Sequence, residues 1–158
     1  MSGTRPSEGD FPATGRRIAI VAARFNDAIV SALLQGAVAT WCQRGGEESD
    51  LFIARVPGAF ELPVVARRLI ASGRYEAIVA LGCVIRGGTP HFEYVAGECA
   101  RGLQQASSDT GVPIAFGVLT LDNIAQARER TGTGADNKGA EAMASALEMA
   151  HLMAHLPR

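Results

Sequence analysis

Short apolar runs alternate along the chain with longer segments in which apolar residues recur every three or four positions. The runs at 17–23 and 77–85 lack the polar alternation of a half-buried strand, so they predict strands that are buried on both faces of a sheet. Two further segments, at 50–56 and 113–121, predict a second pair of strands. The pattern therefore predicts a sheet of four strands.

A helix is predicted after each strand, from apolar residues at three- and four-residue spacing. Asn26 or Asp27 can cap the first helix, and Asn123 with Gln126 has the pattern of a capping box ahead of a short helix. The remaining helices are predicted at 62–72, 91–108 and 137–155. Such alternation predicts the α/β class, as a three-layer α/β/α sandwich around a four-stranded, mainly parallel sheet.

Length and composition limit the organisation and the partners. The chain has 158 residues, the size of one domain, and its first fifteen are rich in Gly, Pro, Ser and Thr. We therefore expect a flexible N-terminal tail at 1–15 and a single domain at 16–158. A net charge of −1 argues against a nucleic-acid or anionic-membrane surface. Without a bilayer-length apolar run or a signal segment, we expect a cytoplasmic protein.

The cysteines and two of the histidines are the residues that a metal site would use. Cys42, Cys83 and Cys99 form no C-x-x-C pair, which favours buried, inert thiols over a zinc site or a disulfide scaffold. His151 and His155 are four residues apart, a spacing that can bind metal, but no carboxylate pattern accompanies them and solvated side chains are favoured. These residues therefore predict no metal site.

Ligands of such folds bind at the carboxyl ends of the strands, which directs attention to four loops. Phe25 follows the first strand and is either a hydrophobic staple or a stacking platform for a flat ring. After the second strand, Ala59–Glu61 should present free backbone N–H groups at a helix start. Glu61 suits both the helix dipole and a polyol ligand, and the pattern leaves both interpretations open.

The loop after the third strand is the most informative. Gly87 and Gly88 allow close backbone approach, Thr89 is a good N-cap, and Pro90 is tolerated at the first helical position. Together they predict an anion site at a helix N-terminus, suited to phosphate. His91 follows at once, and a histidine side chain can act as both general acid and general base near neutral pH.

The fourth loop combines basic residues with glycines. Arg130 could bind a phosphate with two parallel hydrogen bonds, and Lys138 is the chain's single lysine. Gly132 and Gly134 lack the third glycine and the preceding strand of a dinucleotide fingerprint. Lys138 precedes Gly139, the reverse of the order in a P-loop, so both nucleotide motifs fail.

Taken together, these loops resemble the lumazine synthase family over residues 16 to 155. The segments that carry the resemblance are Arg-Phe-Asn-Asp at 24–27, Val-Pro-Gly-Ala-Phe-Glu at 56–61, the stretch 81–95, Ala-Phe-Gly-Val-Leu-Thr at 115–120, and Glu-Arg at 129–130 with Asn-Lys-Gly at 137–139. The family forms 6,7-dimethyl-8-ribityllumazine in the penultimate step of riboflavin synthesis. The resemblance implies a flavodoxin-like fold, and the chemistry of the family implies neither a metal nor an organic cofactor.

The resemblance also implies a role for each matching residue. Phe25 would stack on the ring of 5-amino-6-(D-ribitylamino)uracil. The ribityl chain would be held by Ala59, Phe60 and Glu61. The pyrimidine edge would be met through the backbone of Cys83, Val84 and Ile85. Gly88 and Thr89 would hold the phosphate of 3,4-dihydroxy-2-butanone 4-phosphate, while His91 would move protons. Phe116 and Arg130 would come from a neighbouring subunit. Arg130 would form an ion pair with the phosphate, and Lys138 would lie nearby.

The resemblance also carries expectations about oligomeric state and partners, and two alternatives to an enzyme remain open. The resemblance implies a homo-oligomer, a pentamer with active sites between subunits, and riboflavin synthase as a candidate partner besides the small-molecule substrates. Gly134 and Asp136 stand where relatives often have Lys and Gly, so the sequence supports a pentamer and leaves a higher assembly, such as a sixty-subunit shell, open. Two alternatives to an enzyme are a flavin- or lumazine-binding relative without catalysis and a shell-forming structural protein.

Overall fold

A computed structural model describes residues 10–133 and 136–157. In chain order the elements are β1 (Ile18–Ala23), α1 (Asp27–Gln43), β2 (Leu51–Val56), α2 (Leu62–Ala71), β3 (Ala77–Ile85), α3 (His91–Thr110), β4 (Ile114–Leu121), α4 (Ile124–Arg130) and α5 (Lys138–His155). Single turns of 3-10 helix precede β2 at Glu48–Asp50 and α2 at Ala59–Glu61. The predicted alternation is confirmed.

The four strands form one parallel sheet in the order β2-β1-β3-β4. All six residues of β1 and the first seven of β3 are buried, as their uninterrupted apolar runs predict. One face of the sheet packs against α1 and α5, and the other packs against α2 and α3. The predicted three-layer α/β/α fold is therefore confirmed, with the strand order of flavodoxin-like proteins.

Helix ends follow local hydrogen bonding. The Asn123 side chain accepts from the Gln126 N–H, as the capping pattern predicts, but the Gln126 side chain accepts from Asp122 rather than Asn123. The expectation that Asn26 or Asp27 caps α1 is wrong: Asn26 holds the cap position, yet its side chain makes no capping bond. Helix α3 runs two residues past its predicted end and stops at Gly111, whose φ of +74° only glycine adopts readily.

The segment at 10–15 lies against the domain, although it was predicted to be part of a flexible tail. Phe11 and Ala13 are buried, and the Phe11 ring lies 4.9 Å from the ring of His151. The Arg44 side chain donates to the Phe11 carbonyl oxygen and to Asp10. His151 is thus half-buried under an aromatic ring rather than solvated. Residues 1–9 of the predicted tail lie outside the described residues.

The far end of α1 encloses the single tryptophan. Trp41 is 1% exposed, and its indole N–H donates to the Glu47 carbonyl oxygen at 3.0 Å. A Cβ on Gly46 would lie 2.2 Å from the indole ring, so only glycine fits against it. The chain therefore turns tightly over this ring before β2.

Helices α1 and α5 approach closely enough to need glycines. A Cβ on Gly139 would lie 1.9 Å from the Leu33 carbonyl oxygen, and one on Gly36 would lie 2.2 Å from the Asn137 side chain. Gly139 looks in sequence like part of a ligand loop, but in the structure it serves this helix packing.

The thiols differ in their surroundings. Cys83 and Cys99 are buried, and desolvation by burial raises the pKa of each to about 11, which fits the predicted inert thiols. Cys42 is exposed, so the expectation of burial is wrong for that residue. Within the described ranges, no helix is long and apolar enough to cross a membrane.

Candidate active site

Three strand-end loops are joined by hydrogen bonds at the carboxyl edge of the sheet. The Arg24 N–H donates to the Val56 carbonyl at 2.7 Å, and the Phe25 N–H donates to the Pro57 carbonyl at 3.0 Å. The Asn26 side-chain amide donates to the Cys83 carbonyl at 2.9 Å. The ends of β1, β2 and β3 are therefore held in register.

Asn26 adopts a left-handed backbone conformation with φ of 61°, the sole non-glycine residue with positive φ in the described ranges. Asparagine tolerates this conformation better than most residues, but it still carries some strain. Sequence reasoning assigned Asn26 a capping role and missed its contact with the end of β3. An Asn followed by Asp at a strand end was the available signal.

A cleft of about 730 Å³ opens where these loops meet. The predicted site residues that line it are Phe25, Ala59, Phe60, Glu61, Cys83, Val84, Ile85, Thr89 and His91. Gly88 lies between Gly87 and Thr89, which both line the cleft. The structure thus brings together the residues of the first three loops.

Aromatic rings stand exposed around this cleft. Phe25 is 71% exposed, Phe60 is 61% exposed and Tyr94 is 70% exposed. Such exposure of Phe25 does not fit a hydrophobic staple, which would pack its ring against the helix. Exposed rings beside a cleft are available to a flat ligand.

The first turn of α2 offers fewer donors than predicted. The Glu61 N–H donates to the Gly58 carbonyl at 3.2 Å, so one of the three expected backbone donors is already used. The Glu61 side chain makes no capping hydrogen bond at α2. Its carboxylate is therefore not used as a cap, which favours the polyol interpretation over the capping one.

The loop ahead of α3 is open. A Cβ placed on Gly87 or Gly88 would meet no atom within 4 Å. The helix begins at His91 with Pro90 at the cap position, so the prediction of Thr89 as N-cap and Pro90 as the first helical residue is wrong by one residue. No side chain caps α3, which leaves its first N–H groups unpaired by any cap.

Arg86, which sequence reasoning did not single out, lies directly before this loop. Its guanidinium pairs with Glu93 in the first turn of α3 and with Asp122 after β4, the latter at 3.1 Å. It also lies 4.4 Å from the centroid of the Phe92 ring. The hydrogen bond from Arg86 lowers the pKa of Glu93, and the bonds to Glu93 and Asp122 raise the pKa of Arg86.

The other predicted site residues surround a second hollow, of about 470 Å³, which we call the β4 hollow. It is lined by 115–122 and by Gln126, Arg130, Lys138, Glu141, Ala142 and Ser145. The Arg130 guanidinium donates to the Gln126 carbonyl at 2.9 Å, and Lys138 pairs with Glu141 at 2.8 Å. Phe116, Arg130 and Lys138 thus come together, but apart from the cleft, with which the hollow shares no lining residue.

Asn137 fixes the segment that carries these cations. Its buried side chain accepts from the N–H groups of Gly139 and Ala140 and donates to the carbonyls of Ala32 and Gly132 at 3.0 Å. It therefore caps α5 and attaches the preceding loop to α1. Gly134, at the centre of that loop, lies outside the described residues.

Comparisons with known proteins agree on one family. The sequence model of the 6,7-dimethyl-8-ribityllumazine synthase family matches residues 15–154. A protein of Nitratidesulfovibrio vulgaris named 6,7-dimethyl-8-ribityllumazine synthase is 55% identical over 149 residues, which are 94% of this chain and 96% of the relative.

Proposed function

The chain belongs to the 6,7-dimethyl-8-ribityllumazine synthase family, and we propose that its cleft and its β4 hollow are two parts of one active site that is completed between subunits. The activity is the condensation of 5-amino-6-(D-ribitylamino)uracil with 3,4-dihydroxy-2-butanone 4-phosphate. The products are 6,7-dimethyl-8-ribityllumazine, phosphate and water, in the penultimate step of riboflavin biosynthesis. The relative is named as an enzyme, which gives no support to a binding-only or shell-forming role.

The cleft binds the pyrimidine in this proposal. Phe25 stacks on the ring, because its face is exposed at the mouth of the cleft. Glu61 accepts hydrogen bonds from the ribityl hydroxyls beside Ala59 and Phe60, since no capping bond occupies its carboxylate. The backbone of 83–85 at the end of β3 meets the polar edge of the ring.

The open loop at 87–90 and His91 serve the phosphate substrate. Gly88 and Thr89 bring backbone N–H groups to the phosphate, and the uncapped start of α3 favours its negative charge. His91 lies one residue beyond this loop, within the cleft, where it exchanges protons with the reacting groups.

The single observation that carries the two-subunit proposal is the distribution of cations. Among the described residues, those lining the cleft include Glu61 and His91 but no lysine or arginine, whereas the β4 hollow contains both Arg130 and Lys138. A phosphate monoester is recognised best by a guanidinium that supplies two parallel hydrogen bonds. Another copy of the chain therefore brings Arg130, with Lys138 and Phe116, to the phosphate end of the cleft.

The chemistry demands little beyond positioning and proton transfer. The amine of the pyrimidine condenses with the ketone, phosphate leaves by elimination, and a second condensation closes the ring. Holding two reactants in contact can contribute several kcal/mol by itself. Acid–base help from a positioned histidine typically adds about 10²- to 10⁴-fold.

Assembly and location follow from family membership as further proposals. A ring of five copies gives every cleft one neighbouring β4 hollow, because a head-to-tail interface that closes on itself uses each surface once per subunit. We place the activity in the cytoplasm, with riboflavin synthase as the enzyme that would receive the product.

Complementation between two impaired variants tests the shared site. His91→Ala removes the proton carrier from the cleft and Arg130→Ala removes the cation from the β4 hollow, so each homo-oligomer should be strongly impaired at low phosphate-substrate concentration. When the two are denatured and refolded together 1:1, about a quarter of the interfaces pair an intact cleft with an intact hollow, and about a quarter of the wild-type rate should return.

Native mass spectrometry of the same sample should show mixed oligomers, and each variant refolded alone is the control. Mixed oligomers without recovered activity would show that each chain carries its own complete site, which would overturn the proposal.

A further inference from the structure

The loop proposed to hold the phosphate has almost no hydrogen bonds of its own. In the described part of the chain, no hydrogen bond to the backbone or side chains of Gly87, Gly88 or Thr89 is formed, and the Pro90 carbonyl accepts from the Glu93 N–H at 3.1 Å. Its position is therefore set by its two ends, the end of β3 and the first turn of α3. Whatever fixes these ends relative to one another determines the geometry of the loop.

Arg86 connects the two ends. Its backbone N–H donates to the Leu121 carbonyl at 2.7 Å, which continues the β3–β4 pairing by one residue and fixes where the loop departs. Its side chain then reaches across the loop to Glu93 in α3. The span from Arg86 to Glu93 encloses the whole loop and His91.

Two additional contacts hold the guanidinium in this orientation. Asp122 pairs with its Nε from the segment after β4, and the Phe92 ring lies 4.4 Å beneath it. Isolated exposed ion pairs contribute little, but one guanidinium shared between two carboxylates and a ring face is restrained from several directions. The planar fork of arginine suits this arrangement, and lysine could not reproduce it.

The charges decide between positioning and direct phosphate binding. Two carboxylates accompany the single guanidinium, so the cluster is negative overall and its nearest donors are already engaged. A direct phosphate ligand would need free donors and a net positive charge. The arrangement therefore fits a residue that positions the loop and does not fit a residue that binds the phosphate directly.

We propose that Arg86 is a positioning residue, which holds the loop at 87–90 and His91 in place through Glu93 and Asp122. This inference rests on the proposed function of the loop as the phosphate subsite.

Steady-state kinetics of Arg86→Gln and Glu93→Gln test the role, with each substrate varied in turn. Loss of either partner should raise the KM for 3,4-dihydroxy-2-butanone 4-phosphate about 10- to 100-fold, because small misplacements of a binding loop have effects of this size. The KM for the pyrimidine should stay within about twofold, since the cleft wall at Phe25 and 59–61 is untouched.

Glu93→Gln distinguishes the two possible roles of Arg86 by the direction of its effect. If Arg86 acted as a phosphate ligand, removing a competing carboxylate would free the guanidinium and lower this KM. If Arg86 acts as a positioning residue, the KM for the phosphate substrate rises in Glu93→Gln. The double variant Arg86→Gln/Glu93→Gln should then have a KM no higher than that of Arg86→Gln alone. A lowered or unchanged KM in Glu93→Gln would overturn the proposal, even if Arg86→Gln itself failed to fold.

Matched variants complete the experiment. Arg67→Gln removes the comparable α2–α3 ion pair with Asp109, at 3.2 Å and similarly exposed, and should change neither KM. Arg86→Lys should give an intermediate rise, since it retains charge but not the fork. Gly88→Val separates the two levels of inference, because a Cβ there meets no protein atom within 4 Å but adds bulk where the phosphate would bind. A raised KM in Gly88→Val with an unchanged KM in both Arg86 variants refutes the positioning role alone. An unchanged KM in all three variants refutes the phosphate subsite itself.

Discussion

The cleft and the β4 hollow belong to the same sheet but have opposite chemical character. The cleft exposes aromatic rings and backbone around Glu61 and His91, whereas the hollow contains Arg130 and Lys138. A flat heteroaromatic ring and a phosphate need these two environments, and one chain keeps them apart. Under the proposed function, each chain therefore presents one environment for each ligand feature, and the complete site forms only between two copies.

The separation has a topological cause. The cleft is built from loops at the ends of β1, β2 and β3, while the hollow runs along the edge strand β4 and its helices α4 and α5. An edge strand has one side without a neighbouring strand, and Phe116 on β4 is 49% exposed. In the proposed assembly, this face meets the neighbouring copy.

The largest effect on kcat is expected from removing His91, the proposed proton carrier of the cleft. His91→Ala should lower kcat by about 10²- to 10⁴-fold, because no other histidine lines the cleft in the described part of the chain. Since His91 is exposed, the circular dichroism spectrum and the oligomer mass should not change. His155→Ala, an exposed histidine on α5, is the control and should keep the wild-type rate; a wild-type rate in His91→Ala would contradict the mechanism.

A smaller and more selective effect is expected from the β4 hollow. Arg130→Ala should raise the KM for the phosphate substrate about 10- to 100-fold, since a charge-assisted hydrogen bond contributes about 1.5–3 kcal/mol. The KM for the pyrimidine substrate should change little. Arg128→Ala, an exposed arginine on the same helix, controls for the general loss of charge, and equal effects of both variants would argue against a specific phosphate contact.

The helix packing behind the hollow should have the smallest effect on catalysis, and changes there should appear in the stability of the fold. Gly139→Ala would force a Cβ into the Leu33 carbonyl, so we expect a loss of about 1–3 kcal/mol in the free energy of unfolding. Gly97→Ala in α3, where a Cβ meets nothing within 4 Å, should instead stabilise the helix by about 0.5–1 kcal/mol. Thermal denaturation that ranked the two variants the other way would refute the close α1–α5 contact.

The sequence predicted the central elements well because burial on both faces leaves an uninterrupted apolar run. The predicted strand at 77–85 coincides with β3 for this reason. The cleft residues were also predictable, since they occupy the loops after three consecutive strands, where parallel-sheet topology makes the strand ends converge. The motif resemblance added their roles, which remain proposals.

Most of the residues that sequence reasoning missed act through partners that are distant in the sequence. Asn26 bonds to the end of β3, 57 positions away, and Gly139 is required by the backbone of α1. Phe11 is a single apolar residue in a Gly- and Pro-rich segment, so no periodicity marks its burial. For Arg86 the sequence does contain a signal of its ion pair, because a glutamate follows it seven positions later in the first turn of α3.

The enclosed indole at the end of α1 gives the protein a built-in optical probe. Trp41 is the chain's single tryptophan, and it lies about 20 Å along the helix from Asn26, at the edge of the sheet opposite the cleft. Its emission should be shifted to short wavelength in the native state and move to longer wavelength when water reaches the ring. Because Trp41 does not line the cleft, the same fluorescence trace should follow unfolding in every variant described above with little contribution from changes at the cleft.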